Sequence, residues 1–328
     1  MSLTDDCSIP IQVGPPVYRK FRTGSYLIYD DQPSGLTHFR KGTDLKDVPF
    51  RASGSRQLDV PRLADALKSV APSGFQLYLV DLRQETHVFF NNRAVSWYAD
   101  KDFANVGQTL PWIVADEAAQ LAKIKAVPAT QLFCIKQDDQ GNVTPTGYSE
   151  LVVQSAATEE GVAAQMPLAF RPNYVRIPVT DHCMPGNDAL KRFVKLCVNL
   201  NPGDWVHCHC HGGDGRTTTF LALYDMVRWA RSRGTAGFPT TEEFARRQCQ
   251  LFSYCLNPDG CPEEWKCKGD TRDAITQAPP NRKWKYYLAL QRWWFLDLVR
   301  TWIVNGGLGT GEPFSLPEDW EQRIASAS

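Results

Sequence analysis

Two hydrophobic periods run along this chain, and the change from one to the other marks its elements. Trp205-Val206-His207-Cys208-His209 reads as a strand, and the apolar spacing from Thr218 to Val227 reads as a largely buried helix. Gly74 to Val80 predicts a buried strand that runs into the polar text Asp81-Leu82-Arg83-Gln84-Glu85. Tyr174 to Val179 predicts another strand. A helix should start at Asp59-Val60-Pro61-Arg62, with Leu63, Ala66 and Leu67 on its buried stripe. Helical spacing recurs from Pro111 to Val127, from Asp188 to Leu200 and, rich in aromatics, from Arg282 to Ile303. Thr240-Thr241-Glu242-Glu243 has the form of a capping box. From Gln131 to Val153, short strands and the turn text Asp139-Gln140-Gly141-Asn142 predict a small β-rich subdomain inserted in the main fold. The alternation of strands and helices elsewhere predicts an α/β fold whose sheet is covered on both faces.

Composition adds bounds rather than a function. The chain has 328 residues, 22% charged and 43% hydrophobic, which is ordinary for a globular protein. Its formal net charge is zero, so any preference for an anion must come from local clustering. No apolar run is long enough to span a bilayer, and neither a membrane nor a nucleic acid is expected as a partner. The opening Met1-Ser2-Leu3-Thr4-Asp5-Asp6 is not a secretory signal. Of the ten cysteines, Cys134, Cys197, Cys208 and Cys249 fall in apolar patterns and read as core. Cys255, Cys261 and Cys267 lie in a Gly/Pro-containing loop, where disulfides and ordered thiols are both open.

Chemistry concentrates between the strand and helix around residue 210. His209-Cys210-His211-Gly212-Gly213-Asp214-Gly215-Arg216-Thr217 places one cysteine and one arginine around a glycine-rich turn. A strand, a tight loop and a helix start form an anion cradle, with backbone N–H groups pointing inward. Cys210 at its mouth should titrate below the ~8.5 of a free thiol. Arg216 can grip two phosphate oxygens through its planar fork. Thr217 can donate a hydroxyl to the Cys210 sulfur, and His209 can hydrogen-bond the loop. His211 and Asp214 stand inside the turn. The Asp214 carboxylate opposes anion binding unless it points outward or pairs with a cation such as Lys285. These features point to a thiolate attacking phosphorus.

A metal site is the competing reading, because residues 207 to 211 are all ligand types. Their alternation on a strand sends His207 and His209 away from Cys208 and Cys210, so four ligands do not converge. No metal and no cofactor are expected. A phosphatase also needs a proton donor for its leaving oxygen. Asp181, in the loop after the strand ending at Val179, is the candidate general acid.

Further text carries a resemblance. Residues 80–87 (Val80 to His87), Val95-Ser96-Trp97-Tyr98, Asn105-Val106-Gly107, Thr180-Asp181-His182 and the cysteine loop occur in the order found in bacterial cysteine phytases. These are the protein-tyrosine-phosphatase-like inositol polyphosphate phosphatases. Phe21-Arg22-Thr23 and Trp284-Lys285-Tyr286-Tyr287 are similar to that family too. The resemblance implies a phosphatase core of central sheet and flanking helices with an inserted partial β-barrel. It divides the chain into an extended segment at 1–20, a core at 21–87 and 171–315, a β-rich insert at 88–170 and a tail at 316–328. It implies inositol hexakisphosphate and lower inositol polyphosphates as small-molecule substrates and a phosphocysteine on Cys210. Arg22, Asp81, His182, Lys283 and Lys285 would line a substrate rim, with His87 and Gln248 as weaker additions. A protein tyrosine or dual-specificity phosphatase, including a host-delivered effector, is the alternative. Secretion or delivery into a host follows only from the resemblance, and the oligomeric state stays open.

Overall fold

The computed structural model describes residues 9–10, 26–30, 38–71, 73–98, 102–137, 143–262, 267–271, 284–310 and 314–319. Arg22, Lys283, the turn at 139–142 and most of the first twenty residues lie outside them. In chain order the strands and helices are β1 (Ile9–Pro10), β2 (Tyr26–Tyr29), β3 (Arg40–Lys41), β4 (Ala52–Arg56), α1 (Val60–Lys68) and β5 (Leu77–Arg83). Next come β6 (His87–Phe90), β7 (Arg93–Tyr98), α2 (Leu110–Lys125), β8 (Ala129–Gln137), β9 (Val143–Val152) and β10 (Ala156–Ala157). The chain continues with α3 (Glu159–Gln165), β11 (Asn173–Val179), α4 (Asn187–Asn199), β12 (Trp205–Cys210) and α5 (Gly215–Arg233). It ends with α6 (Thr241–Leu251), α7 (Trp284–Val304) and α8 (Gly307–Thr310).

The five-stranded sheet runs β11-β5-β12-β4-β3, parallel except for β3. Alternate residues of each strand feed opposite layers. Val206, Cys208 and Cys210 join a core with α4, α5, α6 and α7, whereas Trp205 faces α1 and α3 with Leu63, Leu67 and Val162. All six residues of β12 are therefore buried, as a strand covered on both faces must be. His207 is tolerated there because Ser53 and Ser55 of β4 hydrogen-bond its two nitrogens at 2.9 and 3.2 Å. Burial first, and His209 second, push its pKa down to about 3, so it sits neutral.

Two smaller antiparallel sheets, β10-β6-β7-β2 and β1-β9-β8, lie beside the main one. Ile28 and Tyr98 of the first pack on Phe133 and Ile135 of the second. Their ladders remain separate among the described residues, so the two sheets pack together without a shared hydrogen-bonded wall. The expected boundaries shift in two places. β2, assigned to the core segment, pairs with β7 of the insert. α3, assigned to the insert, packs Val162 and Ala163 into the second core layer of the main sheet.

The cysteines divide differently from the expectation too. Cys134 is buried but disulfide-bonded. Cys255 and Cys261 form a disulfide, and Cys267 does not join one. Among the described residues, no helix is long and apolar enough to cross a membrane.

Candidate active site

β12 stops at Cys210 and α5 starts at Gly215, so the intervening turn sits at the end of a strand buried along its whole length. Gly213 makes the turn possible: its φ is +76°, and a Cβ there would collide with the Arg56 backbone. Its N–H points at the Cys210 sulfur, 3.2 Å away. Thr217 Oγ1 donates to the same sulfur at 3.1 Å. Both contacts suit an anionic sulfur. Gly54 lets the first turn of α5 rest on the sheet, since a Cβ would lie 2.7 Å from Thr217 Cγ2.

Arg216, in that first turn, is 2% exposed. Glu85, just past β5, accepts from its Nη1 at 2.7 Å and its Nη2 at 3.0 Å. The Val179 carbonyl at the end of β11 accepts from Nη1 at 3.1 Å. Asp181 follows two residues later and places Oδ1 2.9 Å from Nη2. Burial raises the Asp181 pKa, but Arg216 and then His182 bring it below the ordinary carboxylate value. Glu85 is likewise held well below its ordinary value: Arg216, with Arg83 beside it, overcomes burial. Cysteine, arginine and aspartate thus converge from β12, α5 and the loop after β11.

Residues 80–228 match the family model described as PTPlike_phytase, inositol hexakisphosphate. A PTP-like phytase from Bdellovibrio bacteriovorus has a similar fold, with TM-score 0.62 and 27% identity, covering 97% of this chain and 100% of that one. The tandemly repeated PTP-like phytase from Mitsuokella multacida gives TM-score 0.70 at 24% identity over 96% of this chain and 49% of that chain. Effector protein hopD2 from Pseudomonas syringae pv. tomato is 26% identical over 212 residues, which are 60% of this chain and 43% of that protein. The chain therefore spans about half the length of the Mitsuokella protein and less than half of hopD2.

Within this PTP-like phytase fold, the loop residues take roles that the sequence only partly suggested. Asp214 points outward, half-exposed, and the side chain beside it is His38, with Nδ1 3.1 Å from Oδ1. Lys285 instead adds to the effect of His182 and Arg292, which bring the Asp270 pKa down against burial. His211 donates from the turn to Asp102 at 2.8 Å, and Asp102 and Asp30 raise its pKa against the opposing effect of burial. His209 does not brace the loop. The pleat turns it to the opposite face of β12, where Nε2 is 2.9 Å from Glu159 Oε1 of α3, outside hydrogen-bond alignment. Gly212 offers its carbonyl to His38 at 2.7 Å.

The rim candidates separate by burial. His182 is part-exposed beside Asp181, in a left-handed conformation with φ +61°. Lys285 is part-exposed at the start of α7. Asp81, His87 and Gln248 are 0, 0 and 1% exposed and belong to no open rim. Asp81 accepts from Tyr174 at 2.7 Å and faces Arg176 at 2.9 Å, while His87 Nε2 lies 3.0 Å from Glu159. Among the described residues, neither side-chain polar atom of Gln248 has a hydrogen-bond partner.

Several members of the site escaped the sequence reading. Glu85 aims Arg216. Arg40, 3% exposed, donates to Thr218 at 2.8 Å; burial lowers its pKa to about 10 against the opposing charges of Cys210 and Asp214. Arg292 of α7 donates to the His182 carbonyl, to the Tyr254 hydroxyl at 3.2 Å and to Asp270 at 3.4 Å. It thereby fixes the strained backbone next to Asp181. Arg292 sits in an aromatic helical pattern with no local sign of its task. Glu85 had one: charged text at the end of a buried strand.

Proposed function

We propose that this chain is a cysteine phosphatase that hydrolyses inositol polyphosphates through a phosphocysteine intermediate. The observation that carries this reading is Arg216 held between Glu85 and Asp181 at the helix start that also donates to Cys210. A phosphate seated in the turn meets the loop N–H groups and the Arg216 fork, which stabilise its equatorial oxygens. The Cys210 sulfur attacks phosphorus in line while the ester oxygen leaves. Asp181 protonates that oxygen. A phosphate dianion on Arg216 takes up the charge that now holds Asp181 ionised, which favours its acid form when the substrate is bound. In the second step Asp181 accepts a proton from water, the water oxygen attacks phosphorus, and the thiolate departs with Thr217 donating to it.

The family match and the inositol-phosphate-bound Mitsuokella phosphatase of similar fold support an inositol polyphosphate as substrate. Relatedness to an effector protein favours, as a second reading, a host-delivered protein tyrosine or dual-specificity phosphatase. Phosphate release from inositol hexakisphosphate and from phosphotyrosine peptides at matched concentrations separates the two. The inositol substrate should be turned over with the higher kcat/KM. Peptide turnover without inositol turnover overturns the substrate. In the same assay Cys210→Ser should lose at least roughly 10³-fold in kcat, and Asp181→Asn roughly 10²- to 10⁴-fold. Unchanged release from Cys210→Ser would reject the mechanism.

A further inference from the structure

Cys249, Cys255, Cys261 and Cys267 recur at intervals of six residues, beginning in the last turn of α6. The structure gathers them into one knot. Cys255 and Cys261 are joined as a disulfide, and the Cys249 sulfur lies 3.5 Å from that of Cys261. The sulfurs of Cys249, Cys261 and Cys267 all fall within 4.8 Å of one another. Four thiolates at ~2.3 Å from a zinc ion stand about 3.8 Å apart along the tetrahedron's edges. Cys249, Cys261 and Cys267 stand near that spacing, and Cys255 is tied to the group through its bond to Cys261. Cys249 and Cys255 are buried, whereas Cys261 and Cys267 are part-exposed, which leaves a side for an ion to enter.

We propose that these four cysteines form a zinc site in the reduced chain, with the Cys255–Cys261 disulfide as its oxidised alternative. An all-sulfur donor set selects zinc over magnesium or calcium, which take oxygen ligands. Interconversion balances with a dithiol reductant. Its two thiols deliver two electrons and two protons to the Cys255–Cys261 bond and become a disulfide themselves. Zinc then forms four Zn–S bonds as four thiol protons leave to solvent.

The knot lies under part of the catalytic scaffold. It ties residues 253–255 to 267–268: Cys255 N donates to the Lys268 carbonyl at 2.6 Å, and Lys268 N donates to the Ser253 carbonyl at 2.8 Å. Tyr254 and Asp270 project from these two segments to Arg292, which holds the His182 carbonyl. Either staple orders the platform on which the loop of Asp181 rests. The zinc site would do so without an oxidant.

Cobalt titration of the full chain tests this. The protein carries Cys210→Ser to remove the turn's thiol, and it is reduced with a phosphine that is then washed away. One equivalent of Co²⁺ should bind with the intense d–d and sulfur-to-cobalt charge-transfer bands of a tetrahedral thiolate site, and Zn²⁺ should displace it. Cys249→Ser and Cys267→Ser should each weaken cobalt binding by about 100-fold or more, while Cys183→Ser leaves it intact. Zinc should raise the thermal midpoint of the reduced Cys210→Ser chain and not that of the Cys249→Ser double variant, which separates lost ligation from lost folding. No stoichiometric cobalt, or a spectrum unchanged by Cys249→Ser and Cys267→Ser, overturns the proposal.

Discussion

Glu85 fixes the direction of Arg216 by holding both Nη atoms, and it shares Oε1 with Arg83 Nε at 2.9 Å. Removing its charge leaves two buried guanidinium groups short of a partner, a loss that costs about 3–5 kcal/mol in other buried pairs. Glu85→Gln should therefore lower stability in urea unfolding by that order and reduce kcat/KM more than about 10-fold. Equal loss of kcat and kcat/KM would place the effect in the transition state. His87 offers a second prediction at this scale. Burial and Arg83 push its pKa down, but Asp81 and its hydrogen bond prevail and raise it from 6.5 to about 9. The folded chain then holds this proton more tightly than the unfolded chain. Its stabilisation is complete below pH 6.5 and disappears as the pH rises through about 9, a loss of roughly 3 kcal/mol. Thermal midpoints measured across that window should fall in the native chain and show a flatter slope in His87→Gln.

At the scale of elements, α6 has the clearest local code. Thr240 Oγ1 accepts from Glu243 N at 3.1 Å, and Glu243 Oε2 accepts from Thr240 N at 2.6 Å, as the sequence box predicts. The helix carries Arg247, which grips Asp225 of α5 through two bonds at 2.7 and 3.1 Å. Thr240→Ala should cost about 1 kcal/mol, seen as a lower urea midpoint at constant m, with kcat unchanged. Such local signals made elements legible: the strand at 205–210, the helix start at Asp59 and the box at Thr240 all reflect contacts within a few residues. Strand parity was legible as well, since alternation alone separated His207 and His209 from Cys208 and Cys210. That same parity turns His209 away from the loop it was expected to hydrogen-bond. Partners remote in sequence were not legible. Asp214 faces His38, 176 positions away by residue number, and Arg292 reaches His182 across 110. Nothing in the local text of either residue names the other.

For the whole molecule, the chain order of the central sheet has a consequence for how the protein is made. β12, which carries Cys210, lies between β5 and β4 and pairs with both. Cys208 stands opposite Gly54 on one side and Val80 on the other. β4 and β5 are synthesised more than a hundred residues earlier and have no ladder bonds to each other. A nascent chain that has not yet reached residue 205 therefore holds both strands with open edges facing the same gap. Such edges invite pairing with other chains, and closing them waits on contacts of high sequence separation. The strand that delivers the nucleophile is thus also the one that completes the sheet. During synthesis, both edges stay open until that strand emerges.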